Sequence, residues 1–225
     1  MISLLNDMTS PYSSFESWVY DRMIAPAVVG FTDTVGVDPT ETLRPGGSLL
    51  DVGCGGGHLL EHLASQTTDE ALTGVDLSPE QVGRASKRLA RFGGRVRVVE
   101  GSALALPFED GGFDVVVSVA SIKHWPAPET GLHECVRVLV PGGRLVVIEA
   151  DRGCHLVDAA RFVDRWALPA AMQPVALAAF RTWVAGQSLD VEEARTLASG
   201  LSLSLSRVQR VTGTPAWVID GVKKG

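Results

Sequence analysis

The stretch Leu49-Leu50-Asp51-Val52-Gly53-Cys54-Gly55-Gly56-Gly57 decides the fold of this chain. A short apolar run reaches an acid and then breaks into four glycines within five residues. This order is typical of a buried strand that enters a glycine-rich turn and continues as a helix. Glycine permits positive φ angles and close approach of a ligand, and the first N–H groups of the helix are available to that ligand. The stretch therefore predicts a nucleotide-type site at the end of the first strand of an α/β sheet.

The residues around the glycines favour one class of nucleotide. His58 stands where a dinucleotide fingerprint has its third glycine, and Asp51 directly precedes the turn. A carboxylate there repels the phosphates of a dinucleotide and attracts an ammonium group. The stretch resembles motif I of the class I S-adenosylmethionine-dependent methyltransferases, which is an acid, one residue and then G-x-G-x-G. The resemblance implies contacts to the methionine part of the cofactor from Asp51, Gly53, Cys54, Gly55 and Gly57.

A second acid supports an adenosine ligand. Asp76 ends the next predicted strand, about 20 residues beyond the glycine turn, where a carboxylate accepts hydrogen bonds from ribose hydroxyls. Dinucleotide sites and S-adenosylmethionine sites share this contact. The helix after it has a clear start, with Ser78 as the N-cap, Pro79 at the first position and Gln81 completing a predicted capping box.

Two further segments make the resemblance specific over residues 48–150. They are Gly101-Ser102-Ala103-Leu104-Ala105-Leu106-Pro107-Phe108 and Arg137-Val138-Leu139-Val140-Pro141-Gly142-Gly143. Together they resemble the ubiquinone/menaquinone-biosynthesis type of methyltransferase domain. That family has Asp at the position of Ser102, whose hydroxyl makes a weaker hydrogen bond to the adenine amino group than a carboxylate does. The resemblance implies further cofactor contacts from Leu77, Gln81, Ser102, Ala103, Leu104 and Val119.

The resemblance implies an α/β, Rossmann-like sheet of seven mostly parallel strands, with helices on both faces and a terminal antiparallel hairpin. Strands are predicted at 48–52, 71–75, 95–100, 113–118, 144–149, 203–211 and 216–222. We expect a single domain over residues 1–225. Its predicted parts are an N-terminal helical lid at 1–45, a cofactor-binding core at 46–150, a helical cap at 151–200 and terminal strands at 201–225. Tyr20 of the lid is expected to contact the cofactor.

The predicted cap, residues 151–200, departs from a simple alternation of strands and helices. A helix is predicted over 156–166, and the run 174–184 is apolar nearly all round, which predicts burial on several sides. Asp190 and Glu193 form a predicted N-cap pair, and Gly200 a helix stop. Large apolar side chains in the cap suit either an apolar substrate pocket or the protein core: Phe162, Trp166, Leu168, Met172, Phe180 and Trp183.

Composition limits the partners. A net charge of −6 argues against general affinity for nucleic acid or anionic membranes. The first residues lack a basic region followed by an apolar core and no apolar run is long enough to span a membrane, so we expect neither a secretory signal nor a membrane span. The three cysteines, Cys54, Cys135 and Cys154, have no metal-ligand spacing, so no metal site is predicted, and their small number suits the cytoplasm. A homodimer stays an open alternative, because a neighbouring subunit could supply the cap.

Methyl transfer from a sulfonium is a direct displacement that needs a held cofactor, an aligned nucleophile and a way to remove its proton. His124 is the candidate base, because it follows strand four on the expected substrate side and an imidazole titrates near neutral pH. Two alternatives are that it only lines the pocket or has no role in the reaction. Asp151 and His155 are secondary candidates, and His133 is expected to face solvent.

The leading hypothesis is S-adenosylmethionine-dependent methylation of a small aromatic or apolar molecule, with O-methylation favoured and S-adenosylhomocysteine as product. C-methylation of a quinone ring and N- or S-methylation of a secondary metabolite are alternatives. An NAD-type oxidoreductase predicts glycine at position 58 and no acid at 51, unlike His58 and Asp51 here. A non-catalytic S-adenosylmethionine-binding partner protein also remains open, because Ser102 replaces the acid of the family.

Overall fold

The computed structural model describes residues 37–166 and 168–225. Its strands are β1 (Ser48–Val52), β2 (Ala71–Asp76), β3 (Val96–Glu100), β4 (Phe113–Val119), β5 (Leu139–Ala150), β6 (Leu203–Arg210) and β7 (Ala216–Lys223). Its α-helices are α1 (His58–Gln66), α2 (Pro79–Leu89), α3 (Pro128–Val138), α4 (Leu156–Val163), α5 (Gln173–Ala179) and α6 (Val191–Ser199). Most of the predicted lid, with Tyr20, lies outside the described residues, and residues 37–45 form turns without a helix.

The strands of these residues form one sheet in the order β3-β2-β1-β4-β5-β7-β6. Strands β1 to β5 pair in parallel, while β7 is antiparallel to both β5 and β6. The predicted mostly parallel sheet and its terminal hairpin are therefore confirmed. The strand order reverses between β1 and β4, and in open α/β sheets ligands bind at the carboxyl ends of the strands beside such a reversal.

A separate core lies on each side of the sheet, as predicted. Leu49 of β1 belongs to one core, with α1, α2 and α4, whereas its neighbour Leu50 belongs to the other, with α3 and α6. This alternation follows from the two-residue period of strand side chains. Cys54, Cys135 and Cys154 are buried free thiols within these cores. No helix among residues 37–166 and 168–225 is both long and apolar enough to cross a bilayer.

Strand β5 begins earlier than predicted. It starts at Leu139 rather than Arg144, and Leu139 pairs with Phe113 instead of extending the preceding helix. The register then shifts, so that Arg144 pairs with Val115. The intervening residues include Gly142 at φ 79°, a left-handed conformation that suits glycine. The predicted turn is thus an irregularity within the strand.

The predicted burial of residues 174–184 on several sides is wrong. In this segment α5 continues into a single π-helical turn, Phe180–Val184, but Val175 is 68% exposed and Trp183 is 46% exposed. Only the face that carries Ala176 and Phe180 is buried. Burial is one-sided because these short helices lie on one face of the sheet, over α4.

The other cap helices follow the prediction more closely. Helix α4 ends at Val163 rather than at Trp166, although the Trp166 ring is buried. Phe162, Trp166 and Phe180 pack together, with ring centroids 5.3 to 6.2 Å apart. Asp190 and Glu193 form the predicted N-terminal cap of α6, a complete capping box, and Gly200 caps its C-terminus.

Candidate active site

The turn after β1 is held against β2 by backbone hydrogen bonds. The N–H groups of Gly53 and Cys54 both donate to the carbonyl oxygen of Val75, at 2.8 and 3.1 Å. Gly53 has φ 76°, and a Cβ built on it would lie 1.8 Å from Oγ of Ser121, in the loop after β4. Glycine is therefore required at position 53 by both backbone conformation and space.

The other glycines serve two different purposes. Gly57 has φ 78°, and a Cβ there would lie 3.0 Å from Cβ of Ala85, so this glycine lets α1 approach α2 closely. Gly55 has φ 51°, yet a Cβ built on it would meet nothing within 4 Å. The outer side of the turn at Gly55 is thus open, which leaves space for a ligand against the backbone.

Asp76 joins the glycine turn to the start of α2. Its Oδ2 accepts from the N–H of Gly55 at 2.8 Å, and its Oδ1 accepts from the N–H of Ser78 at 2.9 Å. Burial raises the pKa of Asp76, while the two N–H donors oppose that rise. A carboxylate oxygen can accept more than one hydrogen bond, so both oxygens can still receive ribose hydroxyls.

The predicted capping box of α2 is only half formed. Ser78 Oγ accepts from the N–H of Gln81 at 3.4 Å, as the prediction requires. The N–H of Ser78 donates to Asp76 instead of to the Gln81 side chain. Asp76 takes the place of the Gln81 side chain as the acceptor, and Gln81 itself is buried.

Asp51 lies at the end of β1 with only 2% of its surface exposed. Burial raises the pKa of this carboxyl to about 8, and the nearby negative charge of Asp76 adds to the rise. Burial and the two acids also raise the pKa of the Cys54 thiol, which makes Cys54 a packing residue rather than a nucleophile. A positively charged group beside Asp51 would favour the ionised carboxylate.

The loop after β3 lies beside Asp76. The N–H of Gly101 donates to the carbonyl oxygen of Asp76 at 3.0 Å. Ser102 Oγ accepts from the N–H of Leu104 at 3.1 Å, so this hydroxyl shapes its own loop. Ser102, Ala103 and Leu104 are half-buried, and Leu77 is 60% exposed. The residues predicted to hold adenine therefore lie together at the carboxyl ends of β2 and β3.

The loop after β4 faces the same edge of the sheet. It begins after the half-buried Val119 with Ala120, which has φ 55°, and continues into a short 3-10 helix, Ile122–His124. In the described part of the chain, Ala120 alone combines positive φ with a side chain. His124 is half-buried at the end of that helix. Such backbone strain persists only where surrounding contacts impose it.

Sequence reasoning missed Glu149 at the end of β5. Its carboxylate is fully buried and pairs with the largely buried side chain of Lys123, with Nζ 3.1 Å from Oε1. The available signal was the one used for Asp51 and Asp76, an acid that ends an apolar strand. Three of the parallel strands thus carry a buried or half-buried carboxylate at their last or second-last residue, at one edge of the sheet.

The secondary candidates lie in less suitable places. Asp151 is fully buried, forms an ion pair with Arg210 and accepts from the N–H of Gly153 at 2.7 Å. These contacts make Asp151 a structural group rather than a free base. His155 is exposed at the N-cap of α4, and His133 is exposed on α3, as predicted. His124 is therefore the histidine in the loop beside the glycine turn.

The family comparison agrees with this geometry. Residues 50–147 match the family model described as a methyltransferase domain. This part of the chain is therefore similar to that family. The matched range includes the glycine turn, Asp76, the loop after β3 and His124.

Three relatives match parts of the chain. 2-Methyl-6-phytyl-1,4-hydroquinone methyltransferase 1 of Oryza sativa subsp. japonica is 36% identical over 132 residues, 57% of this chain and 39% of that protein. Demethylmenaquinone methyltransferase of Thermus thermophilus is 39% identical over 101 residues, 45% of this chain and 46% of that protein. 27-O-demethylrifamycin SV methyltransferase of Amycolatopsis mediterranei is 39% identical over 107 residues, 47% of this chain and 39% of that protein. The chain spans less than half the length of these curated relatives.

Solved structures resemble the chain over most of its length. A SAM-dependent methyltransferase from Aquifex aeolicus gives a TM-score of 0.62 at 16% identity, over 90% of this chain and 91% of that one. A TehB-like SAM-dependent methyltransferase from Corynebacterium glutamicum gives 0.58 at 19% identity, over 88% of each chain. At such identities the likeness concerns the fold alone, and it agrees with the sheet order found here.

Proposed function

We propose that this chain binds S-adenosylmethionine and transfers its methyl group to a small aromatic or apolar acceptor, leaving S-adenosylhomocysteine. The observation that carries the proposal is the pair of strand-end carboxylates around an open glycine turn. Asp76 orients the N–H of Gly55, and buried Asp51 lies directly before the turn. An ammonium beside Asp51 and ribose hydroxyls on Asp76 match the charges and hydrogen bonds of S-adenosylmethionine. Asp51 would also repel the phosphates of a dinucleotide.

The residues present fit the cofactor part by part. The methionine part would lie along the turn, the ribose on Asp76, and the adenine between Leu77 and the loop after β3. The exposed side chain of Leu77 offers an apolar surface to a flat ring. The full set of proposed contacts is Tyr20, Asp51, Gly53, Cys54, Gly55, Gly57, Asp76, Leu77, Gln81, Ser102, Ala103, Leu104 and Val119.

The cofactor supplies an activated methyl group when bound, so the protein mainly has to align the acceptor and remove its proton. We assign proton removal to His124, because its loop borders the glycine turn at the carboxyl edge of the sheet. A neutral imidazole would accept the proton of an acceptor hydroxyl as the new bond to carbon forms.

Acceptor chemistry is proposed from the relatives and the cap. Matched proteins include a tocopherol O-methyltransferase and a norajmaline N-methyltransferase, so the same domain type works with oxygen and nitrogen acceptors. We favour a hydroxyl acceptor on an apolar molecule, with quinone-ring C-methylation and N- or S-methylation as alternatives. The exposed apolar residues of the cap, such as Met172 and Trp183, support an apolar acceptor.

The remaining assignments follow from the same proposal. Residues 46–150 act as the cofactor-binding core of a single domain, 151–200 as its cap and 1–45 as its lid. The acceptor is neither nucleic acid nor a membrane component, in keeping with the acidic net charge. Reduced, buried cysteines suit the cytoplasm. A homodimer in which one subunit caps the other would still leave the glycine turn and His124 in one chain.

Methyl-labelled S-adenosylmethionine tests the proposal. The purified protein is incubated with labelled cofactor and a cell extract, and label is counted in organic, aqueous small-molecule and macromolecular fractions. We expect label in a small-molecule fraction, strongly reduced by His124→Ala and unchanged by the matched control His133→Ala. Label in the macromolecular fraction would contradict the proposed acceptor class. Binding of S-adenosylhomocysteine without any labelled product would favour the non-catalytic alternative.

A further inference from the structure

The buried pair Lys123–Glu149 lies beside the loop that carries the proposed base. The side chain of Lys123 is 6% exposed and that of Glu149 is 0% exposed. Glu149 is the second-last residue of β5, the neighbour of β4 in the sheet, whereas Lys123 lies in the loop that follows β4. The pair therefore ties the loop to the next strand rather than stabilising a single element.

The contacts of Lys123 reach the strained residue of the loop. Its Nζ donates to the carbonyl oxygen of Ala120 at 2.8 Å as well as to Glu149. The N–H of Lys123 also donates to Glu149 Oε2, at 3.4 Å. Glu149 Oε1 accepts in addition from the N–H of Ala150 at 2.8 Å. These bonds surround Ala120, whose positive φ is strained for a residue with a side chain and persists only where neighbouring contacts hold it.

The loop held in this way also touches the cofactor turn. Ser121 Oγ accepts from Nε1 of Trp125 at 3.1 Å, and this hydroxyl occupies the space that a side chain on Gly53 would need. Trp125 in turn packs over Gly131 of α3. The glycine turn keeps its own backbone bonds to Val75, so a loosening of the loop would change the position of His124 more than the turn itself.

Stability alone explains this pair poorly. The free-energy cost of removing two charges from water often exceeds the gain from their mutual attraction. Replacing such a buried pair by apolar residues of similar volume therefore often leaves protein stability unchanged or raises it. The pair does something that apolar residues cannot, because its directed hydrogen bonds fix one backbone conformation at Ala120 and Lys123.

We propose that Lys123 and Glu149 are positioning residues that hold the loop after β4 so that His124 faces the acceptor across the glycine turn. The catalytic part of this inference rests on the proposed function. Neither side chain touches the acceptor, and both act through the backbone of Ala120 and through His124. Other charged groups at this edge of the sheet are Asp51 and Asp76 of the cofactor turn and the ion pair of Asp151 with Arg210.

Three variants separate positioning from stability: Lys123→Met, Glu149→Leu and the two combined. Each single change leaves one buried charge without its partner and should lower the melting temperature strongly. The combined variant removes both charges and should melt near the wild-type temperature. The matched control combines Arg195→Gln with Glu192→Gln, an exposed ion pair on α6 whose loss should change nothing measured here.

The decisive readouts are made on the combined variant. Amide hydrogen exchange at Ala120, His124 and Trp125 should be at least about tenfold faster than in the wild-type protein. These N–H groups donate to backbone carbonyl oxygens, so the substitutions do not remove their hydrogen-bond acceptors directly. Affinity for S-adenosylhomocysteine should stay within about threefold of wild type, whereas transfer of methyl label to the extract should fall at least about tenfold.

Two results would overturn the inference. One is wild-type exchange at these amides in a combined variant that melts normally. The other is faster exchange with undiminished label transfer, which would mean that the loop needs no positioning. The exchange measurement requires no acceptor. If the wild-type protein transfers no label, the proposed function fails, while exchange still decides whether the pair holds the loop.

Discussion

The glycine turn and the helical cap differ in what builds them. The turn after β1 is held by backbone groups, with Gly53, Cys54 and Gly55 all donating N–H bonds to β2 residues. The cap is held by side chains, chiefly the packed rings of Phe162, Trp166 and Phe180. A site formed by the backbone requires particular residue types at particular positions, and it can therefore be recognised from the sequence. A cap held together by apolar side chains requires only that enough apolar surface is buried, and many sequences meet that requirement.

The largest effect is expected at the turn. Gly53→Ala should weaken binding of S-adenosylhomocysteine by about a thousandfold, roughly 4 kcal/mol, because its Cβ would lie 1.8 Å from Ser121 Oγ. The melting temperature should fall as well, since φ 76° is strained for alanine. Titration calorimetry and thermal unfolding measure the two effects.

Two matched glycines sharpen this prediction. Gly55→Ala meets no protein atom within 4 Å, so it should reduce cofactor binding more than stability. Gly83, within α2, has equally open space and an ordinary φ, and Gly83→Ala should leave binding unchanged and slightly raise stability. Normal cofactor affinity in Gly55→Ala would contradict a ligand lying on the open side of the turn.

In the cap, Phe180→Ala should lower the free energy of unfolding by about 3 to 4 kcal/mol, because Phe180 is 1% exposed within the ring cluster. Val175→Ala, on the 68% exposed face of α5, should change it by less than about 0.5 kcal/mol. Denaturant unfolding followed by fluorescence compares them. An equal loss of unfolding free energy in the two variants would mean that Val175 is buried by a contact outside the described residues.

The pH dependence of cofactor binding tests the charge of Asp51. Its pKa is raised from 3.8 to about 8 in the folded protein. Between pH 3.8 and about pH 8, the folded state therefore keeps a proton on Asp51 that the unfolded state has released. This carboxyl therefore lowers stability as pH rises through that interval. An ammonium ligand prefers the ionised form, and affinity for S-adenosylhomocysteine should rise up to about tenfold per pH unit from 6 to 7.

Calorimetry at these two pH values measures that rise. Asp51→Asn is the control, because an amide cannot ionise, and its weaker binding should be nearly independent of pH. A flat profile in the wild-type protein would mean that Asp51 is either ionised already or distant from the ligand.

The smallest effect concerns the one complete capping box described in the cap. Asp190 Oδ1 accepts from the N–H groups of Glu192 and Glu193, and Asp190→Ala should cost about 1 kcal/mol of unfolding free energy. Cofactor affinity should not change, because α6 lies on the sheet face opposite α1 and α2. A marked loss of affinity would connect the cap to the cofactor turn.

The sequence predicted the turn well and the burial of residues 174–184 in the cap poorly, for physical reasons. Glycines that follow a strand-end acid are compatible with few structures other than a strand, a tight turn and a helix. The positions of β1, α1 and Asp76 were therefore predicted correctly. Glu149 carried the same signal, yet its partner Lys123 could not be known, because the pair joins the loop after β4 to strand β5. The apolar run that contains Val175 and Trp183 predicted that both side chains are buried. The sequence could not show that both side chains stay exposed among the described residues. The partial capping box at Ser78 likewise depended on a competing acceptor, Asp76.

The most direct test of the account is calorimetric titration of the purified protein with S-adenosylhomocysteine and, separately, with NADH. We expect one molecule of S-adenosylhomocysteine bound per chain, no heat from NADH, and markedly weaker binding of S-adenosylhomocysteine to Asp51→Asn. Binding of NADH without binding of S-adenosylhomocysteine would contradict the account, as would an affinity that Asp51→Asn leaves unchanged.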